Sequence, residues 1–244
     1  MLSRANRVAC VTGGGRRLGK HIALALGKEG YDVIVNYHSS ARGAQETVNS
    51  LRAMGRKSIA VKADVSNKRA VTKMIRRAVK LFGNIDILVN NAAIFLDSPL
   101  LKTDERTWDR TMEINLKGVF LCSQAVAPYM LKRGSGKIIN IASLGGIQAW
   151  KQHLPYSVSK AGVIMLTRIL AKTLAPRIQV NAIAPGTIFM EGEETGGYKH
   201  VPKRKIPLKR YGKPSDITSM VTYLASSADY ITGQVFTIDG GRTI

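Results

Sequence analysis

Cysteine is scarce in this chain, with only Cys10 and Cys122 among 244 residues. Both fall inside predicted strands or helices, and they have neither a second pair nor a spacing typical of zinc ligands. A disulfide framework and a metal site are therefore not expected. We predict that both cysteines are small side chains of the core, so that packing alone holds the fold together.

Long hydrophobic runs and aromatic residues are also in short supply. No apolar segment approaches the roughly 18 residues of a membrane-spanning helix, and the first predicted strand, at residues 8–11, follows no signal-peptide pattern. We therefore expect a cytoplasmic protein without a membrane partner. Aromatic residues make up 6% of the chain and no zinc-finger, RNP or helix-turn-helix pattern is present, so nucleic-acid binding is not expected.

Acidic residues are few: 16 Asp and Glu stand against 37 Lys and Arg, which gives a net charge of +21. Basic side chains occur along residues 68–80, and they concentrate from Lys199 to Lys213, where there is no acid. Two interpretations remain open. One is a solvated basic surface, and the other is attraction to an acidic protein or an anionic substrate.

The chain is long enough for one large α/β domain with a sizeable core. Apolar runs such as Val33–Val35 are typical of strands in a parallel sheet that helices cover on both faces. We expect one doubly wound domain over residues 1–244, with a mobile substrate loop around residues 187–211. Predicted strands lie at 8–11, 32–37, 57–62, 85–89, 137–143, 178–184 and 234–238, and helices at 41–54, 68–82, 104–131, 155–174 and 214–225.

A glycine-rich turn follows the first predicted strand and leads into a helix. Glycines let the backbone approach a pyrophosphate, and the first N–H groups of the helix point at it with the positive end of the helix dipole behind them. The spacing departs from the G-x-G-x-x-G fingerprint, because Leu18 stands where the third glycine would fall. By itself the turn is equally compatible with a plain connection.

A tyrosine and a lysine lie four residues apart, and so on one face, of the predicted helix at 155–174. A cation near a phenol lowers the pKa of the phenol, which lets Tyr156 exchange a proton near neutral pH in the presence of Lys160. Other polar residues follow the predicted strands: Asn90 and Asn91 after the fourth, and Ser143 after the fifth. Because carboxyl ends of parallel strands meet at one sheet edge, these features are expected to share a site.

In this combination the chain resembles the short-chain dehydrogenase/reductase family, from the first strand to Asp239-Gly240-Gly241. The resemblance implies a Rossmann-type sheet of seven strands in the order 3-2-1-4-5-6-7 and a nicotinamide cofactor across the strand ends. The residues that match the family pattern in order and spacing are Thr12-Gly13 with Gly19, Asp64, Asn90-Asn91-Ala92, Asn115, Ser143, Tyr156, Lys160 and Pro185-Gly186.

The resemblance also implies the roles of the catalytic residues. Ser143 and Tyr156 hydrogen-bond the substrate carbonyl oxygen, Tyr156 gives it the proton, and the cofactor delivers a hydride to the carbon. Lys160 binds the nicotinamide ribose and keeps Tyr156 acidic, while Asn115 holds a water that links Lys160 to solvent. No metal takes part. The hydrogen-bond donors thus stand where an alkoxide develops.

The expected cofactor-binding residues come from the glycine turn, the ends of four other strands and the catalytic helix. They are Gly13, Gly15, Arg16, Arg17, Leu18 and Gly19; Tyr37, His38, Ser39 and Ser40; Asp64 and Val65; Asn91, Ala92 and Ala93; Tyr156 and Lys160; and Pro185, Gly186, Thr187 and Ile188.

NADPH is the expected cofactor. Enzymes that use NAD usually carry an Asp or Glu at the end of the second strand, which binds the ribose 2′-hydroxyl and repels a 2′-phosphate. Here residues 36–40 hold no acid. Arg17 occupies a place where many relatives have glycine, and its guanidinium could reach the 2′-phosphate, with Ser39 or Ser40 donating further bonds.

The substrate is not fixed by these residues, and three alternatives stay open beside a less specific ketone, sugar or polyol reductase. A 3-oxoacyl-[acyl-carrier-protein] reductase fits the basic chain, with Arg133 and Arg177 placed to dock an acidic carrier. A pteridine reductase fits Arg17-Leu18-Gly19 and Tyr37-His38, with Phe95 or Trp150 as the available aromatic clamp. A non-catalytic NADPH-binding regulator is the third alternative. The resemblance implies a homotetramer that packs its helices at about 104–131 and 155–174 against partners.

Overall fold

The computed structural model describes residues 7–190 and 201–244. Lys199 and the middle of the segment 187–211 lie outside the described residues. The strands are β1 (Val8–Val11), β2 (Asp32–Tyr37), β3 (Ser58–Lys62), β4 (Ile87–Asn90), β5 (Gly136–Ile141), β6 (Ile178–Pro185) and β7 (Val235–Ile238). The helices are α1 (Arg17–Lys28), α2 (Ala41–Ala53), α3 (Lys68–Phe82), α4 (Glu105–Met112), α5 (Gly118–Arg133), α6 (Leu154–Leu174) and α7 (Pro214–Ser226).

The seven strands form one sheet in the order β3-β2-β1-β4-β5-β6-β7. Every pair is parallel: Cys10 lies opposite Ile34 on one side and Leu88 on the other. The α/β fold with this strand order is therefore confirmed. The order reverses between β1 and β4, and the carboxyl ends of these strands open the crevice in which such sheets bind ligands.

Apolar side chains cover both faces of the sheet, as the continuous hydrophobic strands require. On one face α3 and α5 pack over β1 and β4 through residues such as Met74 and Val126. On the other face α1, α2 and α7 bury residues such as Leu26 and Val221. Cys10 is fully buried in the first of these layers, and burial raises the pKa of its thiol to about 12.

The helix expected at 104–131 differs from a single regular helix. A wider π-helical turn at Glu113–Lys117 separates α4 from α5, and α5 continues past Pro128 to Arg133. Asn115 lies inside this wider turn and is completely buried. Such turns often occur at functional sites, and this one carries a side chain that the sequence analysis assigns to catalysis.

None of the helices in the described part of the chain is both long and apolar enough to cross a bilayer. In the same residues, no three His, Cys, Asp or Glu side chains gather as a metal would require.

Candidate active site and cofactor site

The glycine turn after β1 packs tightly on the segment after β4. Thr12 Oγ1 accepts hydrogen bonds from the backbone N–H groups of Asn91 at 2.9 Å and Ala92 at 3.1 Å. Asn91 Nδ2 donates in return to the carbonyl oxygens of Thr12 and Gly13. This reciprocal set of bonds joins the two strand ends at the crevice, next to the exposed Ala93.

Gly19 is required by close packing inside this turn. A Cβ at this position would overlap the carbonyl oxygen of Gly13 and lie 2.6 Å from Asn91 Nδ2. Gly15 is similarly confined, since a Cβ there would come within 2.9 Å of Ser40 Oγ. The turn therefore lies between the end of β4 and the start of α2, and α1 can begin directly above it.

The amino end of α1 fits a pyrophosphate. Its N-cap residue, Arg16, makes no side-chain capping bond, and the first turn of the helix holds no acid. Uncapped N–H groups and the positive end of the helix dipole then face the crevice. Leu18, which stands where the third glycine of the fingerprint would fall, packs its side chain against the core. The leucine is therefore compatible with a pyrophosphate at the end of α1. A dinucleotide thus fits the residues that are present.

The end of β2 offers polar and cationic groups without a carboxylate of its own. Tyr37 is followed by His38, whose Nε2 lies 3.8 Å from Asp64 Oδ2, and Ser40 precedes α2. Partial burial alone would raise the pKa of Asp64. Hydrogen bonds from the side chain and backbone of Ser66, with the nearby charge of His38, instead hold that pKa below its ordinary value.

Three residues from the chain after β5 and from α6 form the candidate catalytic group. The Ser143 hydroxyl lies near the Tyr156 hydroxyl and acts to lower its pKa, and Ser143 Oγ accepts a hydrogen bond from the Gly145 N–H at 3.1 Å. Lys160 is buried and donates to the carbonyl oxygen of Ile141 at 2.6 Å. The sequence analysis placed these side chains at one sheet edge, and the structure brings them together there.

The pKa of Tyr156 lies above its ordinary value. Burial raises it, and the nearby Ser143 hydroxyl and the positive charge of Arg17 offset that effect only in part. Lys160 Nζ lies 5.8 Å from the centroid of the Tyr156 ring, and burial lowers the pKa of Lys160 to about 8. Burial thus disfavours the charged form of both groups, and the role of Lys160 in keeping Tyr156 acidic stays a prediction.

Asn115 acts here as a clamp on the chain after β4. Its Oδ1 accepts from the Ile94 N–H at 2.8 Å, and its Nδ2 donates to the Ile94 carbonyl at 2.9 Å and to Ser159 Oγ at 3.1 Å. Ser159 in turn donates to the Tyr156 carbonyl. Asn115 thus links the backbone beside the site to the first turns of α6.

The end of β6 closes the site on its other side. The Gly186 N–H donates to the Ile238 carbonyl at 2.8 Å, which continues the pairing with β7 beyond Pro185. Thr187 and Ile188 then line a cavity of about 400 Å³ that reaches the start of α7. The expected residues of this segment therefore lie at the same edge as the catalytic group.

Several residues of the site were not singled out from the sequence. The Asn36 side chain accepts from the Gly13 N–H at 3.2 Å and donates to the carbonyls of Val61 and Ala63. Arg242, near the end of the chain, donates to Thr187 Oγ1 at 3.4 Å. The Asn at the end of β2 was a usable signal for the first, whereas no spacing rule points to the second.

The two arginines expected to dock an acyl carrier lie elsewhere. Arg133 pairs with Asp86 at 3.3 Å, just before β4, and Arg177, just before β6, donates to the carbonyl of Leu131. Both therefore lie where strands begin, at the edge opposite Ser143 and Tyr156. Within one chain they therefore do not line the entrance of the site, and their role in docking an acyl carrier stays a prediction.

Curated relatives match the chain almost end to end. The 3-oxoacyl-[acyl-carrier-protein] reductase FabG of Staphylococcus epidermidis is 44% identical over 240 residues, which are 97% of this chain and 98% of the relative. The 3-oxoacyl-[acyl-carrier-protein] reductase of Synechocystis sp. is 43% identical over 247 residues and the full length of both.

Solved structures give the same picture. An acetoin dehydrogenase from Enterobacter cloacae has a TM-score of 0.91 and 33% identity, covering 99% of this chain and 97% of that one. A dehydrogenase/reductase from Sinorhizobium meliloti has a TM-score of 0.93 and 34% identity with the same coverage. A family model described as Enoyl-(Acyl carrier protein) reductase matches residues 14–243. The chain belongs to the short-chain dehydrogenase/reductase family of oxidoreductases.

Proposed function

We propose that this protein is an NADPH-dependent reductase of 3-oxoacyl thioesters carried by an acyl carrier protein. The observation that carries the reaction class is the placement of the Ser143 and Tyr156 hydroxyls beside each other and near the buried Lys160, at the edge where the glycine turn lies. The named relatives at 42–44% identity support the substrate.

In the proposed reaction, two hydroxyls converge on one carbonyl oxygen. Tyr156 donates its proton to that oxygen, and Ser143 donates a hydrogen bond that stabilises the developing alkoxide. The raised pKa of Tyr156 keeps the phenol protonated near neutral pH, as a proton donor requires. Lys160 would hold the ribose of the bound cofactor beside the phenol, and Asn115 would order a water that connects Lys160 to solvent. When bound, NADPH supplies the hydride.

The choice of NADPH rests on the end of β2. Residues 36–40 carry no acid, and His38, Ser39 and Ser40 offer donors for a 2′-phosphate, with Arg16 and Arg17 across the turn. Asp64 and Val65 border the adenine, and the carboxylate of Asp64 is already engaged by Ser66 and His38. A phosphate fits this cationic end better than a bare 2′-hydroxyl does.

We propose a 3-oxo group as the reacting group, although the matching family model is described by an enoyl reductase. A ketone carries its oxygen on the carbon that takes the hydride, whereas in a conjugated enoyl thioester the charge develops on the thioester oxygen, two carbons away from that carbon. Crotonyl thioester, which has the double bond without the ketone, therefore serves as the matched negative substrate.

A basic surface that suits an acidic carrier protein lies near the site. Residues 203–213 follow the β6 end, and Ile188 pairs with Gly212. Lys203, Arg204 and Lys205 are exposed there, and of the described cations of this segment Arg210 is the one engaged by an acid, Asp216. We propose that the carrier binds this surface and that the two proteins meet in the cytoplasm.

A homotetramer is the proposed assembly. The exposed face of α6 carries Val158, Met165 and Ile169, and Phe120 of α5 is also exposed. A row of large apolar side chains on neighbouring helices indicates a surface that is covered by another copy. These side chains lie on α5 and α6, within the helices that the family resemblance assigns to subunit packing.

The function is tested by following NADPH oxidation with acetoacetyl thioester, crotonyl thioester, dihydrobiopterin and a quinone in parallel. Turnover of acetoacetyl thioester supports the proposal. Turnover of dihydrobiopterin alone would instead support a pteridine reductase, for which the Phe95 ring 4.7 Å from that of Tyr156 is the favouring observation. Tight NADPH binding without any turnover would support a regulator.

Carrier docking is tested with the same ketone on two carriers. Replacing Lys203, Arg204 and Lys205 together by alanine should raise the KM for acetoacetyl-carrier protein and leave the KM for the free thioester unchanged. The matched control replaces Arg69, Lys73 and Arg76, which are exposed on α3. Equal effects of the two triple variants would contradict docking at residues 203–205.

A further inference from the structure

Helix α3 carries a row of positively charged side chains along its outer side. Its sequence contains no acid, and its cations are all exposed: Lys68, Arg69, Lys73, Arg76, Arg77 and Lys80. At about 100° per residue, the last five of these fall within an arc of about 100° and extend over about 16 Å of the helix. These five side chains are called the cationic stripe.

The opposite side of α3 is closed to ligands, because its apolar side chains are buried in the core layer over β1 and β4. Phe82, the aromatic residue of this helix, packs against the same layer and lies under the Lys57 ammonium group, 4.8 Å from the ring centroid. Leu81, in the last turn, is an exposed apolar side chain. What α3 offers to a partner is therefore almost entirely positive charge.

The described part of the chain supplies no acid to neutralise the cationic stripe. None of its five side chains forms an ion pair with a described residue. The acids that flank α3 in the sequence are engaged elsewhere: Asp64 accepts a hydrogen bond from Ser66, and Asp86 pairs with Arg133. The stripe therefore presents its full charge to solvent.

The charges of the stripe destabilise the helix that carries them. Arg69 and Lys73, Lys73 and Arg77, and Arg76 and Lys80 are like-charge pairs four residues apart, which disfavour a helix. Arg69 also lies in the first turn, where the helix dipole disfavours a cation, and that turn holds no acid. A partner with several negative charges would relieve all of these repulsions at once.

The composition of the stripe favours a phosphate backbone among anionic partners. Amphipathic helices bind membranes through an apolar face, and the apolar face of α3 is buried. The cores of protein interfaces are rich in aromatic side chains, and proteins that bind single strands stack the bases on aromatic rings; the stripe has no such ring. Contacts with duplex phosphates need only cations, and guanidinium groups bind phosphate through two N–H groups at once.

We propose that the cationic stripe of α3 binds the phosphate backbone of double-stranded DNA without regard to base sequence. The motifs that are absent from the sequence are motifs that recognise bases, whereas phosphate contacts hold a protein on a duplex without reading it. The binding goes beyond the proposed reductase function and does not depend on it, because α3 supplies none of the candidate site residues.

The test follows the fluorescence anisotropy of a labelled duplex of about 20 base pairs in about 50 mM salt and at higher salt concentrations. Wild type should bind two unrelated duplex sequences equally. The stripe variant, which combines Arg69→Gln, Lys73→Gln and Arg76→Gln, should raise the Kd about 10²-fold. It should also make the dependence of log Kd on log salt shallower by about 2.7, the value for three lost phosphate contacts.

The matched control removes the same charge from another exposed surface through Lys203→Gln, Arg204→Gln and Lys205→Gln. This variant should raise the Kd for the duplex far less than the stripe variant does. Equal losses in the two variants would show attraction to net charge alone and would overturn the stripe. Tighter binding of wild type to a single strand, or to vesicles of anionic phospholipid, than to the duplex would overturn the choice of partner.

A second variant separates lost charge from lost structure. Arg69→Lys, Lys73→Arg and Arg76→Lys together keep the charge of the stripe and should bind the duplex nearly as wild type does. Because the stripe variant removes like-charge pairs, its midpoint of denaturant unfolding should be no lower than that of wild type. Loss of duplex binding in the charge-keeping variant would contradict an electrostatic stripe.

Discussion

Burial moves the pKa values of Tyr156 and Lys160 in opposite directions, because a dry site disfavours the charged form of each. For Tyr156 the result is a phenol that stays protonated. For Lys160 it is an ammonium group that loses its proton at about pH 8. The single carbonyl acceptor of Lys160, Ile141, does not compensate for the loss of water.

Lys160 should make stability depend on pH. Its pKa is about 8 when folded and 10.5 by reference, so between these values the unfolded chain binds more protons and stability rises with pH. Over that range the gain is about 3 kcal/mol. Lys160→Met should lack this gain in stability with rising pH. Denaturant unfolding at a series of pH values checks the difference, and parallel curves for the two proteins would contradict it.

Arg17 should discriminate between the two nicotinamide cofactors. It adopts φ of 48° at the start of α1, and its charge acts on Tyr156 across the crevice. If it also binds the 2′-phosphate, Arg17→Ala should raise the KM for NADPH about tenfold or more and change the KM for NADH far less. An equal effect on both cofactors would contradict the assignment.

At the residue scale, the site residues that could be predicted from the sequence are those with reactive side chains. Ser143, Tyr156 and Lys160 were found because each carries reactive groups at a recognisable interval. The contact of Arg242 with Trp150 was not, because it forms only when the segment after β7 folds back over the site. Spacing shows that Lys160 is near Tyr156 but not how far burial raises the pKa of that phenol.

At the scale of elements, α1 depends on its fit to the glycine turn. Gly19→Ala would push a methyl group into the Gly13 carbonyl and Asn91, so we expect weaker NADPH binding and a loss of about 1–3 kcal/mol of stability. Calorimetry of cofactor binding and denaturant unfolding measure the two effects.

Gly55→Ala is the matched control for Gly19→Ala. Gly55 has φ of 76°, and an added Cβ there would meet no atom within 4 Å. This variant should therefore lose about 1 kcal/mol of stability through backbone strain alone and bind NADPH normally. Weakened binding in the control would mean that Gly19→Ala reports general destabilisation.

Most elements could be predicted because strands and helices alternate with clear hydrophobic periods. The boundaries moved by small amounts: β5 was expected to reach Ser143 and ends at Ile141. The π-helical turn around Asn115 was missed, since one wider turn scarcely changes the apolar pattern of a long helix. The turn is accompanied by a contact between residues that are separated in the sequence: the Asn115 side chain accepts a hydrogen bond from the Ile94 N–H.

At the scale of the whole molecule, the apolar face of α6 bears on assembly. Met165 and Ile169 are each 53% exposed, and Met165→Glu with Ile169→Glu should place two charges in the proposed interface and dissociate the tetramer. Light scattering with chromatography gives the mass, and circular dichroism verifies the fold. A wild-type monomer, or a double variant of unchanged mass, would contradict this interface.

For the whole molecule, the family resemblance implied the strand order, and the position of the site was predictable because a doubly wound sheet binds ligands at the carboxyl edge of its strands. The fold does not explain why the chain carries such a high positive charge. Two exposed groups of basic side chains lie on α3 and at residues 203–213, and of these two the second lies near the β6 end of the site.

The central claim is that Tyr156 protonates a 3-oxoacyl thioester in an NADPH-dependent reduction. The most direct measurement is kcat/KM for acetoacetyl thioester in wild type and Tyr156→Phe, with the Kd for NADPH measured for both. The account predicts a loss of about 10²- to 10⁴-fold in the variant with NADPH bound as in wild type. Comparable rates in the two proteins would contradict it.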